Sequence, residues 1–376
     1  MPKNEPIDLA QLREELQRTN APWEMTYTSI TALSEEEREI RLGVPPSPGL
    51  DPSDLENDRE SAAAAATAAR AETVGAPVSF DLRNVGGANY STPVKDQGGC
   101  GSCVAFGVAA TMEAVTRFTR GAPSLPADFS EAQLFYCHGR AAGARCGTGW
   151  WPEQALNAAR NTGITFEDYY PYTAGDQDCT GLNADWPNRL AKVTNWAFLN
   201  GNAASMKQYI SSYGAIDACL DVYQDFFSYS SGTYRHVSGD YAGGHCVSLI
   251  GYDDAAGHWI AKNSWGTSWG EAGYFKIAYG ECRIETYLQP GGSGATGIQG
   301  VSLRAWLPNQ LILGLWNNEY ETNAWAYGSM RGWLKLGNAA PTTSEAMLLE
   351  LAAAKAGNRQ VGLFENNGTV EQIYAW

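Results

Sequence analysis

Three separated blocks of this 376-residue chain carry side chains suited to nucleophilic chemistry. The first is Gln97-Gly98-Gly99-Cys100-Gly101-Ser102-Cys103, which runs straight into Val104-Ala105-Phe106. A free cysteine ionises near pH ~8.5, too high for a nucleophile at neutral pH. The first turn of a helix lowers that value, because its unpaired N–H groups and macrodipole favour the anion. Cys103 stands where the small and apolar run to Arg117 predicts a helix start. Glycines beside it let a substrate carbonyl approach backbone donors. A thiolate of this kind wants an imidazole, and the chain offers His138, His236, His245 and His258. His245 follows Gly243-Gly244 and opens the apolar run Cys246 to Tyr252. The third block, Lys262-Asn263-Ser264-Trp265-Gly266-Thr267-Ser268-Trp269-Gly270, adds a carboxamide.

The elements that must position these groups change character along the chain. Cys103 to Arg117 has helical spacing, whereas Ala215 to Val222, His245 to Tyr252, His258 to Lys262 and Gly273 to Ile277 favour strands. Helices first and antiparallel strands after predict an α+β domain of two packed halves, with a site in the cleft between them. Residues 1–45 carry charged helical segments, residues 46–76 form a proline- and alanine-rich tether, and residues 77–290 hold all the cysteines. Residues 291–299 read as a flexible, glycine-rich linker. Residues 300–376 have a pattern of their own. A hairpin or bent strand surrounds Pro308, an aromatic strand broken by glycine runs from Ala324 to Leu336, and a Thr342/Glu345 capping box after Pro341 opens a helix that runs to about Lys355. A hairpin signal, Asn366-Asn367-Gly368, closes the chain. Strands, helix, strands in so short a segment fit a small β-rich barrel such as an oligonucleotide/oligosaccharide-binding fold.

Lys and Arg number 26 against 41 Asp and Glu, for a formal net charge of -15. That field repels phosphate backbones, so no nucleic acid is expected as a partner, the barrel analogy notwithstanding. No run reaches the ~18 apolar residues of a membrane-spanning helix, and no membrane role is expected. Met1 to Leu12 lacks the apolar core of a secretory signal. The 8 cysteines then leave three readings: a reducing compartment with free thiols, another route of export, or a true start that lies elsewhere.

QGGCGSC, GGHCVSLIGYD and KNSWGTSWGEAGYFKI, in that order, resemble the papain-like cysteine proteases over roughly residues 77 to 290. This is the papain and cathepsin family, here of bacterial type with N-terminal and C-terminal extensions. Cys103 and His245 stand within the ~130–150 residues that separate such pairs. The resemblance implies a two-lobed fold, with a helical left half and an antiparallel, barrel-like right half. It implies peptide or protein substrates, no cofactor and no metal. It makes Cys103 the nucleophile, His245 the general acid/base, Asn263 the group that orients the imidazole, and Gln97 with the Cys103 N–H the oxyanion hole. Trp265 would shield the His–Asn hydrogen bond. Thr148 and Gly149, in Cys146-Gly147-Thr148-Gly149, would meet an extended substrate backbone. Tyr287 would floor the pocket for the second residue before the scissile bond and favour Val or small apolar side chains there. Cys100 would pair with Cys146 and Cys137 with Cys179, which suggests an oxidising or extracellular compartment. Cys219 and Cys246 would be buried thiols, and Cys282 lacks a bridge partner. The chain departs from the family pattern at Val104, where an aromatic is usual, at Cys246, where a small apolar residue is commoner, and at Leu82, where Trp is frequent.

Cys100-Gly101-Ser102-Cys103 is also formally a C-x-x-C, but redox or zinc use needs a βαβ context or further ligands that the sequence lacks. Two other uses of the fold stay open: acyl transfer, and a non-catalytic binding module. Intact Cys103 and His245 speak against the second. Residues 1–45 are expected to act as a propeptide in the cleft, because Leu33 to Gly43 resembles the Leu-Thr-x-Glu-Glu-like tail of family prosegments. The Trp and Tyr side chains of 300–376 point to a glycan, a protein partner or another copy of the chain, with core filling as the plainer alternative.

Overall fold

The structure, a computed structural model, describes residues 7–47, 75–318, 323–337 and 341–375, so most of the 46–76 tether lies outside the described residues. The chain enters as helix α1 (Leu9–Thr19), strand β1 (Trp23–Met25) and helix α2 (Glu35–Glu39). Asp8 caps α1, and Ser34 with Glu37 closes a capping box on α2. Such caps satisfy N–H groups that a short helix otherwise leaves unpaired. Next come β2 (Ser79–Asp81), α3 (Cys103–Thr119), a π-helical segment at Gln133–Gly139, α4 (Pro152–Asn161), β3 (Ile164–Thr165) and β4 (Leu190–Phe198). After α5 (Ala203–Tyr213) follow β5 (Ile216–Tyr223), β6 (Tyr229–Tyr234), β7 (Tyr241–Asp253), β8 (His258–Lys262) and β9 (Tyr274–Ala278). The last part holds β10 (Leu288–Gln289), β11 (Gly292–Ser293), β12 (Thr296–Asn317), β13 (Ala324–Gly328), β14 (Gly332–Leu336), α6 (Pro341–Ala356), β15 (Gln360–Asn366) and β16 (Thr369–Ala375).

Helix α3 is the axis of the helical half. Val104, Ala105, Val108, Ala109 and Met112 are all fully buried, as expected of a helix with apolar residues on every side. The disulfides Cys100–Cys146 and Cys137–Cys179 staple this half, in the pairing the family resemblance implied. The other half is the sheet β6-β9-β8-β7-β5. The N-terminal elements dock on it: β1 pairs with β6, and Leu12, Leu16, Trp23 and Ile30 enter its core. Where the halves meet, Lys95 Nζ reaches Glu131 Oε1 at 2.8 Å and Glu113 Oε1 at 3.4 Å. Lys262 Nζ donates to Thr92 Oγ1 at 2.7 Å. Breaking one partner of such a buried cluster costs ~3–5 kcal/mol, because the other charge is left without water. The cluster therefore ties the halves into one relative position.

Residues 291–299 differ from the flexible linker that their composition suggests. Gly292–Ser293 pairs with Leu288–Gln289, Gly294 N–H donates to the Tyr287 carbonyl at 2.9 Å, and Ala295 is fully buried. The glycines serve tight packing: a Cβ at Gly294 would stand 2.2 Å from the Glu285 carbonyl oxygen. Residues 296–299 already belong to β12, which is 22 residues long. Its first half pairs antiparallel with β4 from Thr296↔Phe198 to Arg304↔Leu190. It then pairs with β15 from Arg304↔Asn366 to Leu311↔Gln360, and with β13 from Ile312 to Asn317. The expected boundary at residue 300 therefore falls inside a strand, and the change of partner comes at Arg304. Beyond it β12-β13-β14-β16-β15 closes back on β12, with β14 and β16 parallel and the other pairs antiparallel. Helix α6 joins β14 to β15 in the chain, begins at Pro341 so that Thr342 lies inside it, and buries Met347, Leu351 and Ala354. This is the topology of the oligonucleotide/oligosaccharide-binding barrel.

Candidate active site

Cys103 opens α3, so its sulfur lies at the positive end of the helix. His245 projects from β7, and Asn263 follows β8 directly. His245 Nε2 and Asn263 Oδ1 are 2.7 Å apart. A carboxamide oxygen only accepts, so Nε2 carries the hydrogen and Nδ1 is the nitrogen left over. That Nδ1 is buried without a hydrogen-bond partner. Trp265, fully buried, lies 4.7 Å from the imidazole centroid and 5.4 Å from Phe227. It sits behind the imidazole, covering the His–Asn bond, and is too deep to serve as a substrate-binding wall.

Gln97 is held from both ends. Its backbone N–H donates to the Ser264 carbonyl at 2.9 Å, and Ser264 Oγ donates to Gln97 Oε1 at 2.6 Å. The Nε2 group is therefore turned towards the cleft. Ser264 was not singled out in the sequence. Its only signal was its place beside Asn263, whose Oδ1 also accepts the Ser264 N–H at 2.8 Å.

Residues 41–47 run through the cleft as a strap. Gln97 Nε2 donates to the Arg41 carbonyl at 2.8 Å, and Gly43 N–H donates to Cys103 Sγ at 3.2 Å. Trp150 N–H donates to the Gly43 carbonyl at 2.8 Å, and Val44 N–H to that of Gly244 at 3.1 Å. Tyr287 OH reaches the Pro45 carbonyl at 3.0 Å, and Ser47 Oγ that of Leu288 at 3.1 Å. The fit needs two glycines. A Cβ at Gly43 would stand 1.9 Å from the Gly101 oxygen, and one at Gly149 2.0 Å from the Gly43 oxygen. Gly149 thus supplies room, while its own N–H goes to Arg145 and Trp150 makes the bond. Thr148 is exposed, and its hydroxyl accepts from the Arg145 N–H. It caps a turn and makes no bond to the strap.

The strap also sets the charge state. Burial pushes the Cys103 thiol up to about 12, opposed by the Gly43 and Cys246 N–H groups, and pushes His245 down to about 4, opposed by Asn263. At neutral pH both are uncharged, and the thiolate–imidazolium pair expected of a working enzyme is not formed. The strap group that bonds the sulfur is an amide N–H, which a thiol cannot attack. His138 bonds the Gly163 carbonyl, His258 meets Thr233, and His236 meets Asp225, all outside the cleft. Among the described residues no group of three or more His, Cys, Asp and Glu could hold a metal ion.

A cleft between a helical and a β half, with a cysteine at a helix start and a His–Asn pair opposite, defines a cysteine hydrolase of two-lobed type. The model of the papain family cysteine protease matches residues 76–290. The chain is 36% identical over 228 residues to cathepsin B-like CP2 of Giardia intestinalis, covering 57% of this chain and 74% of that protein. It is 34% identical over 245 residues to a gut-specific cysteine proteinase of Caenorhabditis elegans, covering 57% and 73%. Among solved structures, a digestive procathepsin L2 proteinase from the Tenebrio molitor larval midgut superposes with a TM-score of 0.59 at 25% identity. It covers 77% of this chain and 88% of that one. The chain belongs to the papain family of cysteine proteases, in a precursor form like that of its procathepsin neighbours.

Proposed function

We propose that the chain is the closed precursor of an endopeptidase in which Cys103 is the nucleophile and His245 the general acid/base. The observation that carries this reading is the Gln97 amide donating to a strap carbonyl beside the Cys103 sulfur. With the strap gone, that donor and the Cys103 N–H are free for a substrate oxygen. Attack by the thiolate would form a tetrahedral oxyanion held by those donors. His245 would give its proton to the leaving amine, and a water activated by His245 would then hydrolyse the thioester. Asn263 would fix the imidazole tautomer. An endopeptidase is favoured because the strap, an ordinary polypeptide, passes the thiol and continues on both sides, from Arg41 to Ser47. Val44, 3% exposed, is paired with Gly244 beside the Tyr287 hydroxyl. It models the small apolar side chain this pocket prefers.

The test is a chain cleaved in its tether and assayed on a peptide library. Cys103→Ala should abolish hydrolysis with the fold intact, and Gln97→Ala should cost on the order of 10²–10³ in rate. Activity of Cys103→Ala within tenfold of wild type would refute the assignment. A preference for Arg or Phe over Val in the second position would refute the Tyr287 reading. The two disulfides support an oxidising compartment, which mass spectrometry of the secreted and intracellular pools would check. Trp316, Tyr327 and Trp333, exposed at 46%, 38% and 49%, present ring surface to solvent, which supports a recognition role for the barrel. Loss of self-association or of polysaccharide binding in Trp333→Ala is the expected sign, and wild-type behaviour in both would dismiss it.

A further inference from the structure

The shared strand leaves a cavity where the catalytic domain and the barrel meet. β4 begins at Leu190, opposite Arg304, and beyond that pair β12 runs on without it. The space beside this point measures about 190 Å³, and its walls include Leu125, Phe166, Arg189, Leu303, Trp306 and Leu307. Arg189, the residue just before β4, is the only charged wall. None of the walls bonds the strap or the Cys103 sulfur, so this space is separate from the cleft.

Arg189 is firmly placed and little used. Its guanidinium carbon stands 4.7 Å from the Phe166 ring centroid and 5.2 Å from that of Tyr169. Its carbonyl accepts the Thr165 hydroxyl at 2.7 Å, which fixes the backbone as well. Yet its Nε is buried without a hydrogen-bond partner. Among the described residues its one charged contact is Asp168 Oδ2, 3.1 Å from Nη2, on a side chain 58% exposed. Ion pairs so exposed contribute little. A guanidinium offers five donors in one plane, a fork matched to the two oxygens of a carboxylate. Asp168 repels a second negative charge at the same place, so the arrangement favours a monoanion. The other walls are apolar, and Trp306, 45% exposed, carries them out to the surface. An apolar cavity of ~150 Å³ admits a benzene-sized ligand. The space beside Arg189 therefore suits one leucine-sized side chain with its carboxylate, and no longer segment.

We propose that this cavity binds the C-terminal residue of a peptide. The free carboxylate would meet Arg189, an apolar side chain would lie among Phe166, Leu303 and Leu307, and the preceding residues would leave over Trp306. A peptidase supplies such ends itself, because each cut leaves a new carboxylate on the upstream product. The inference adds a second peptide site to the chain and does not depend on which residues carry out hydrolysis.

The test uses uncut chain, in which the strap fills the cleft, labelled with 15N-tryptophan and titrated with N-acetyl-leucine. The Trp306 indole N–H resonance, assigned by its loss in Trp306→Phe, should shift and saturate. N-acetyl-leucinamide, which lacks the charge, should bind roughly tenfold or more weakly, and N-acetyl-leucine should bind Arg189→Met as weakly. A short peptide ending in a free leucine should give the same shift as N-acetyl-leucine. Equal affinity for acid and amide would overturn the proposal, and that comparison needs no variant if Arg189→Met does not fold. Binding of octanoate with no binding of the leucine-ended peptide would overturn it as well, since the cavity would then take a fatty carboxylate. Cys103→Ala, which tests the nucleophile, should leave the titration unchanged, so the two assignments fail separately.

Discussion

The two appendages of the catalytic domain are attached by opposite means. The N-terminal one reaches it through a three-residue strand pairing, a few apolar side chains and the hydrogen bonds of residues 41–47, and it leads into the proline- and alanine-rich stretch 46–76 of the sequence. The C-terminal barrel shares a strand with the domain: β12 begins as the neighbour of β4 and ends as a wall of the barrel. A buried ionic triad adds to that seam. Arg120, at the end of α3, lies 3.8 Å from Glu365 on β15, and Arg331 forks onto the same carboxylate at 2.8 and 2.9 Å. Burial lowers Arg120 to about 10, with Arg331 adding to the effect and Glu365 opposing it. One appendage adds a short edge strand and a strap to the domain; the other shares a long strand with it.

Cutting the tether should give the largest effect. Release of the strap frees the Gln97 donor and exposes Cys103, so hydrolysis of a short peptide should rise by at least the ~10²–10³ that one oxyanion donor is worth. The freed enzyme should show a bell-shaped pH profile from its Cys103–His245 pair, whereas uncut chain should alkylate slowly, because its thiol stays protonated up to about 12. Equal alkylation of cut and uncut chain would show that the strap is no barrier.

Removing the barrel should break the comparison in the other direction. A chain ending at Gly294 leaves β4 without its long partner and should lose its folded state and its activity. A chain ending at Arg304 keeps that pairing and should fold. Full activity of the shorter chain would show that the catalytic domain stands without β12. Next in size, Glu365→Gln strands two buried guanidinium groups and should cost about 3–5 kcal/mol, seen as a lower melting midpoint, with peptide hydrolysis at room temperature retained. An unchanged midpoint would show that the triad does not hold the seam. The smallest effect is Gly43→Ala. Its methyl group meets the Gly101 backbone, so the strap should lift and uncut chain should alkylate on the order of tenfold faster, about 1.4 kcal/mol of lost closure. No change in that rate would mean the strap is held elsewhere.

Much of the site could be read from residue types in order. Cys103 at a helix start, His245 opening a strand and Asn263 after the next one are local features, and the structure brings all three to one cleft. The hairpin at Asn366-Asn367-Gly368 was equally legible, because Asn367 and Gly368 take the positive φ values, 51° and 86°, that such a turn requires. Residues 291–299 misled for the same kind of reason. Glycine permits both a flexible chain and a close backbone approach, and only the neighbours, here Glu285 and Phe198, choose between them. Ser264 was silent because a hydroxyl gains a role only from what lies opposite it.

The sequence by itself determined what local chemistry can specify: the candidate reacting groups, the helix and strand periods that carry them, the turn residues, and the barrel's order of elements. Tertiary structure decided what depends on distant segments meeting. It placed an amide hydrogen of the strap on the Cys103 sulfur, and domain and barrel on one strand. Burial does the rest, since taking a thiol and an imidazole out of water favours their uncharged forms.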